Sequence, residues 1–160
     1  MNRNKPTIIF VLPRSPWPPY AGQARLSFFR AKELKKLGFK VILIFFTSSS
    51  SLSSEANIKL RKVFSEIHFI KIKKIDFCFI AIKAIYLRIK FNLPLQSSWL
   101  NSKSLINKFK KKITFLEKKY PYSFFHLYSI RSYTLWSVIE DSKKRFVIDL
   151  VDSMTLNLER

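Results

Sequence analysis

TIIFVL (Thr7–Leu12), PRSPWPPYAG (Pro13–Gly22), QARLSFFRAKELKKLG (Gln23–Gly38) and KVILIFFT (Lys40–Thr47) follow one another with only Phe39 between the last two. The first and last of these runs are continuously apolar rather than alternating, which is how a strand buried on both faces reads. Four prolines in the second segment remove amide donors and bias the residues before them to extended shapes, so it forms a fixed loop. In the third segment the period becomes helical. Leu26, Phe29, Leu34 and Leu37 are predicted to share the core face, with Arg30, Lys32, Glu33, Lys35 and Lys36 elsewhere, and Gly38 is placed to end the helix. Strand, helix and strand with short connections make a βαβ unit, whose crossover is expected to be right-handed.

The rest of the chain repeats this alternation. The serine tract Ser48–Ser54 reads as a flexible loop, Asn57–Phe64 as a short helix, and Glu66–Lys73 as an alternating strand near a sheet edge. Asp76–Phe91 is predicted helical, with Phe77, Ile80, Ala84, Leu87 and Phe91 inward, and Pro94 ends it. Ser102–Lys119 is a second long helix, very basic at Lys108–Lys112. Ser123–Tyr128 and Phe146–Val151 are further strands, separated by a helix over Ser132–Asp141, and Ser153–Arg160 opens another helix. The predicted class is α/β, a doubly wound parallel sheet, in one domain over 1–160. A strand order of 3-2-1-4-5 places the switch in winding between the first and fourth strands.

Composition narrows the class. Of 160 residues, 48% are apolar and 25% charged, a globular balance. Thirty Lys and Arg against ten Asp and Glu give a formal charge of +20, a field that draws anions such as phosphorylated ligands, anionic headgroups or nucleic acid. No nucleic-acid motif accompanies the charge, and most aromatics fall in strand runs, so no specific nucleic-acid partner is expected. The single cysteine, Cys78, sits in the apolar run Phe77–Ile80 and is predicted to be a buried, inert thiol. Neither a metal nor a resident cofactor is expected. No apolar run approaches the roughly 20 residues of a membrane span, and the run Ile8–Leu12 is too short for a signal peptide. The expected location is cytoplasmic, with peripheral binding to the inner face of the cell membrane as an extension.

In open α/β sheets ligands bind beyond the carboxyl ends of the strands. Three segments are expected there: Pro13–Arg25, Ser129–Arg131 and Asp152–Ser153. Gly22 and Gln23 open a helix whose free amides suit an anion or a sugar hydroxyl, and Arg25 and Arg131 offer forked donors to phosphate. Asp152 is open to two readings, a site carboxylate or a helix cap. Asp149 and His126 lie within apolar strands and read as hydrogen-bonded core groups, and His68 as structural.

The stretch from Ile8 to Ile44, with its proline-rich loop, glycine, following Arg25 and second strand, resembles the N-terminal domain of family 4 glycosyltransferases of the GT-B fold. FFHLYSIRSY (Phe124–Tyr133) and VIDLVDSMTLNLER (Val147–Arg160) resemble the same group, whose fifth strand runs into an Asp-Leu-Val-Asp-Ser segment. The resemblance implies the acceptor-binding half of a retaining hexosyltransferase. Such an enzyme moves sugar from a nucleotide-sugar donor to a glycan or lipid-linked acceptor in cell-envelope polysaccharide or lipopolysaccharide assembly. It implies a catalytic role for Asp152, and acceptor or phosphate contacts from Gly22, Gln23, Arg25, Tyr128 and Arg131. It departs from the family at two points: the usual Gly-Gly pair is Ala21-Gly22, and Tyr128 stands where many relatives carry a histidine. The family's donor-binding domain is not expected within these residues, so the isolated chain is expected to be inactive. A second reading, from the mix of Phe, Ile and Tyr with Lys and Arg over Lys71–Lys90, is a basic module that binds membrane surfaces without catalysis, and a third, from the +20 charge and the many aromatics, is nonspecific nucleic-acid binding.

Overall fold

The computed structural model describes residues 6–20, 22–92, 95, 100–128, 135, 138–139 and 145–149. Their strands β1 (Thr7–Leu12), β2 (Lys40–Thr47), β3 (Glu66–Lys71), β4 (Ser123–Tyr128) and β5 (Phe146–Asp149) form one sheet in the order β3-β2-β1-β4-β5. Every pairing is parallel, with Thr7 beside Lys40 and Ser123, Ile42 beside Glu66, and Phe125 beside Phe146. The fold is a doubly wound, Rossmann-like α/β sheet, as expected, and its strand order is the one supposed in placing the switch between the first and fourth strands.

Side-chain alternation divides the core. Ile9, Val11, Ile42, Ile44, Phe125 and Leu127 face helices α3 (Lys74–Phe91) and α4 (Lys103–Lys119). Phe10, Leu12, Val41, Leu43, Phe45 and Tyr128 face α1 (Gly22–Lys36) and α2 (Ser54–Val63). The central strands contribute to both cores because they are covered on both faces, the physical origin of their unbroken apolar runs. Residue β3 Lys71 and its exposed neighbour Phe69 mark the sheet edge.

Several boundaries and faces differ from expectation. On α1 the buried residues are Gln23, Ser27, Phe28 and Ala31, whereas Leu26, Phe29 and Leu37 are exposed. Two of these four, Ser27 and Ala31, are small, and Ser27 satisfies its hydroxyl on the Gln23 carbonyl at 2.7 Å, so polarity did not keep it at the surface. Gly38 ends the helix with φ +89°, its N–H on Lys35 O and that of Phe39 on Leu34 O, the paired closure that favours glycine. The helix after the serine tract starts at Ser54, three residues before the expected Asn57, because Ser53 caps α2, accepting from the Ala56 N–H at 3.2 Å. Likewise β3 stops at Lys71 and α3 begins at Lys74, because the Asp76 carboxylate takes the Lys73 N–H at 2.9 Å. Phe91 is exposed, not inward. Cys78 is also exposed, which corrects the expectation of a buried thiol: it projects from the outer side of α3. The helices anticipated over Ser132–Asp141 and Ser153–Arg160 lie outside the described residues, apart from Leu135, Val138 and Ile139, which are buried against α4's side of the sheet.

Candidate functional site

The proline loop after β1 is held by its own groups. Ser15 Oγ donates to Trp17 O at 3.1 Å and accepts from Trp17 N–H at 3.2 Å, and the Trp17–Pro18 peptide is cis. The Trp17 ring leans on Phe28 of α1 at 5.5 Å between centroids, and Lys59 Nζ of α2 lies over the ring, 5.6 Å from its centroid. This anchoring makes the loop one wall of a cavity of about 620 Å³. Arg14, Trp17 and Tyr20 face Thr47 and Ser48 at the end of β2, with Ile72 after β3 and Phe77 of α3 closing the floor. A neighbouring recess of about 520 Å³ continues along Lys71, Lys73 and Lys74. Both lie at the carboxyl ends of the strands, where an open α/β sheet accepts ligands. A smaller cavity of about 260 Å³, lined by Pro6, Lys40 and Tyr120, sits at the opposite, amino ends.

The N-terminus of α1 lies beside the larger cavity, which Ala24 lines. Gly22, its first residue, has φ +56°, and a Cβ added there meets nothing within 4 Å. The constraint is therefore conformational, and the space above the backbone is open to a ligand. Gly22→Ala is expected to lower the unfolding free energy by about 1 kcal/mol from left-handed strain alone, with Gly22→Asn costing roughly half as much; urea titration of both variants checks the order. Gln23 is 8% exposed, yet its Nε2 has no hydrogen-bond partner among the described residues. Arg25 is exposed and has no ion pair among the described residues. No acidic residue occupies the first turn of α1. A cation at the positive end of a helix is locally unfavourable, and an arriving anion would relieve it.

Tyr128 is placed differently. Its ring is fully buried, stacked on His126 at 4.2 Å between centroids and set edge-on to Phe10 at 5.2 Å. Arg30 NH1 reaches its hydroxyl at 3.5 Å and pairs with Asp149 Oδ2, and His126 Nε2 lies 3.7 Å from that same oxygen. Burial, aided by the Arg30 charge, holds the His126 imidazole down to about 4, so the ring is neutral near pH 7. Burial raises the Tyr128 phenol, which stays protonated. Tyr128 thus belongs to a cluster that ties α1 to β4 and β5, and it is not among the residues that line the cavity. Asp149 is a paired structural carboxylate, as its apolar flanks indicated; His126 is mostly buried, but its Nε2 has no hydrogen-bond partner among the described residues, so the satisfied core histidine expected there is met only in its burial. Arg30 was missed: a charged residue on an amphipathic helix looks solvent-bound, and only the β5 carboxylate, 119 residues on, reveals its partner. Arg131 and Asp152, with the rest of Ser129–Arg131 and Asp152–Ser153, lie outside the described residues. Among the described residues no group of His, Cys, Asp and Glu could hold a metal ion.

No family model matches the chain, and no curated protein matches it. Solved structures do. Two crystal structures of the C-terminal domain of a hydrogenase from Pyrococcus furiosus each align with 91% of this chain, covering 92% and 91% of the domain. Their identities are 11% and 10% and their TM-scores 0.53 and 0.55, a likeness that shows the shared α/β fold.

Proposed function

We propose that this chain binds the acceptor for a retaining, GT-B-type glycosyltransferase, presenting a glycan or lipid-linked glycan to a nucleotide-sugar. The observation that carries the reading is the cavity of about 620 Å³ at the carboxyl ends of the strands, walled by the proline loop and flanked by the α1 N-terminus. Its lining suits a sugar: Trp17 and Tyr20 supply faces for stacking, and Arg14, Ser15, Thr47 and Ser48 supply polar groups. Gly22, the unpartnered amide of Gln23 and Arg25 add donors for a hydroxyl or phosphate. The resemblance of Ile8–Ile44, Phe124–Tyr133 and Val147–Arg160 to family 4 enzymes supplies the reaction class, and cell-envelope assembly at the cytoplasmic membrane face is the setting it implies. In that reaction the departing nucleotide phosphates must be stabilised, and a donor domain beyond these 160 residues would do so.

The expected result is that the 160-residue chain transfers no sugar from a panel of nucleotide-sugars, yet shows saturation-transfer NMR contacts to glycans. Arg25→Ala should weaken those contacts about fivefold, a loss of about 1 kcal/mol for an exposed charged hydrogen bond. Sugar transfer by the isolated chain, or nucleotide-sugar binding with no glycan binding, would overturn the assignment.

A further inference from the structure

We infer that the outer face of α3 docks on an anionic lipid surface, independently of the sugar-transfer reading. The helix has two apolar faces. Asp76, Ile80 and Ala84 turn inward and are buried. On the opposite side Ile75, Phe79, Ile82, Ile85, Tyr86 and Ile89 are all exposed, from 52% at Tyr86 to 81% at Ile89. At 100° per residue these six fall within about 120° of arc, a continuous apolar stripe along a helix about 27 Å long. A water-soluble surface rarely presents so many large apolar side chains together, and a patch of this kind marks an interaction site.

Charge identifies what the stripe fits. Lys83 and Lys90 border one edge, and Lys74 and Arg88 the other, all exposed. The one acidic residue of α3, Asp76, is 1% exposed and turned into the protein. Lys90 Nζ rests 3.0 Å from the Tyr86 hydroxyl and 5.5 Å from the ring centroid, its alkyl stem lying along the stripe while the charge stays at the border. Apolar centre, basic borders and no exposed carboxylate are the features of a helix lying in a headgroup layer, its Phe and Ile in the acyl boundary and its cations on lipid phosphates. A second copy of the chain is a poor occupant. The 4-3-4-3 spacing of Ile75, Phe79, Ile82, Tyr86 and Ile89 resembles a helix-pairing seam, but two copies would set Lys83 and Lys90 against like charge, on chains that each carry +20. Spanning is excluded for the described helices, none of which is long and apolar enough; α3 would lie on the bilayer. Its first turn borders the recess lined by Lys71, Lys73 and Lys74, so a docked helix holds that opening near the lipid.

The test uses the whole chain and flotation with vesicles of equal parts phosphatidylglycerol and phosphatidylcholine, compared with phosphatidylcholine alone. Binding should be at least tenfold stronger to the anionic vesicles and fall with salt. The double variant Phe79→Ser, Ile82→Ser should lose at least tenfold, and Lys83→Gln with Lys90→Gln about tenfold. These positions are exposed, so circular dichroism should show both variants folded. Cys78, the only cysteine, sits at the stripe's edge and takes an environment-sensitive fluorophore without further mutation. Its emission should shift to the blue on vesicle addition. Equal binding to both vesicles, no binding by the unaltered chain, or flotation that survives the Phe79/Ile82 change would overturn the assignment. So would dimerisation in sedimentation equilibrium that this change abolishes while vesicle binding is absent. Glycan binding at the α1 cavity is read separately by NMR, so failure of either reading leaves the other to stand or fall by itself.

Discussion

Asp76→Ala is expected to lower the unfolding free energy by about 3 kcal/mol, a large share of the roughly 5–15 kcal/mol that holds a domain of this size together. The carboxylate is 1% exposed and joins α3 to α4. It accepts the Lys73 N–H at 2.9 Å, which starts α3, and the Ser102 hydroxyl at 3.1 Å, just ahead of α4. Lys108 of α4 lies 3.5 Å away. Burial opposes the charge, but the Lys73 amide, Ser102 and Lys108 outweigh it and hold the carboxyl below the usual range. Removing it leaves a helix-start N–H and a buried hydroxyl without their acceptor and takes the counter-charge from Lys108, which keeps the Lys71 carbonyl at 3.1 Å, and each loss costs about 1 kcal/mol. Asp76→Asn keeps one acceptor and should cost about half. Urea midpoints with unchanged slopes would establish this; an Asp76→Ala variant within about 0.5 kcal/mol of the parent would refute it. Because Asp76 orients the N-terminus of α3, vesicle binding by that helix should weaken in the same variant.

The second large effect lies at the amino ends of the strands. Glu66 accepts from the Tyr120 hydroxyl and sits 3.2 Å from Lys40 and 3.0 Å from Lys119. Burial works against the carboxylate, but Tyr120, Lys119 and Lys40 together bring it down to about 2. A folded value below the unfolded one means that the stabilisation is complete above about pH 4.5 and disappears as pH falls toward 2. With one-fifth of the side chain exposed, the contribution at neutral pH is about 2 kcal/mol. Glu66→Gln should cost that amount at pH 7 and progressively less below pH 4.5. Two histidines act in a separate window. His68, 3.4 Å from Glu66, and His126 both have values lowered by burial, His126 to about 4. The unfolded chain takes up their protons first, so stability also declines from about pH 6.5 downward, in parent and variant alike. A Glu66→Gln penalty that stays constant from pH 7 to pH 3 would refute the assignment.

Both of these anchors are nearly invisible to one-dimensional reading. Asp76 could be recognised as the start of a helix, but its contact with Ser102 joins positions 26 apart, and Glu66 meets Tyr120 across 54. Arg30 and Asp149 illustrate the same limit on the other face. The strands were legible for the opposite reason: a strand covered on both sides must be apolar at every position, and runs such as KVILIFFT admit no other environment. Helix faces were less so. On α1 the stripe chosen by residue size, Leu26, Phe29, Leu34 and Leu37, differs from the stripe that packs, because small and self-satisfied side chains such as Ala31 and Ser27 can approach the sheet closely. On α3 the apolar residues ring the helix, so periodicity had no single direction to report.

The sequence by itself determined the alternating α/β order and a parallel sheet of five strands, because local periodicity and short connections constrain the class strongly; the order 3-2-1-4-5 was a supposition there, and the tertiary structure decided it. It also marked the proline loop and Gly22 as special backbone. The tertiary structure alone decided which apolar residues remain outside. Phe77 and Phe79 are chemically identical and two positions apart, yet the first lines the cavity beneath the loop and the second faces solvent on the outer stripe. Their difference is a rotation of 200° about the helix axis, and it acquires meaning only once the sheet occupies one side of that helix.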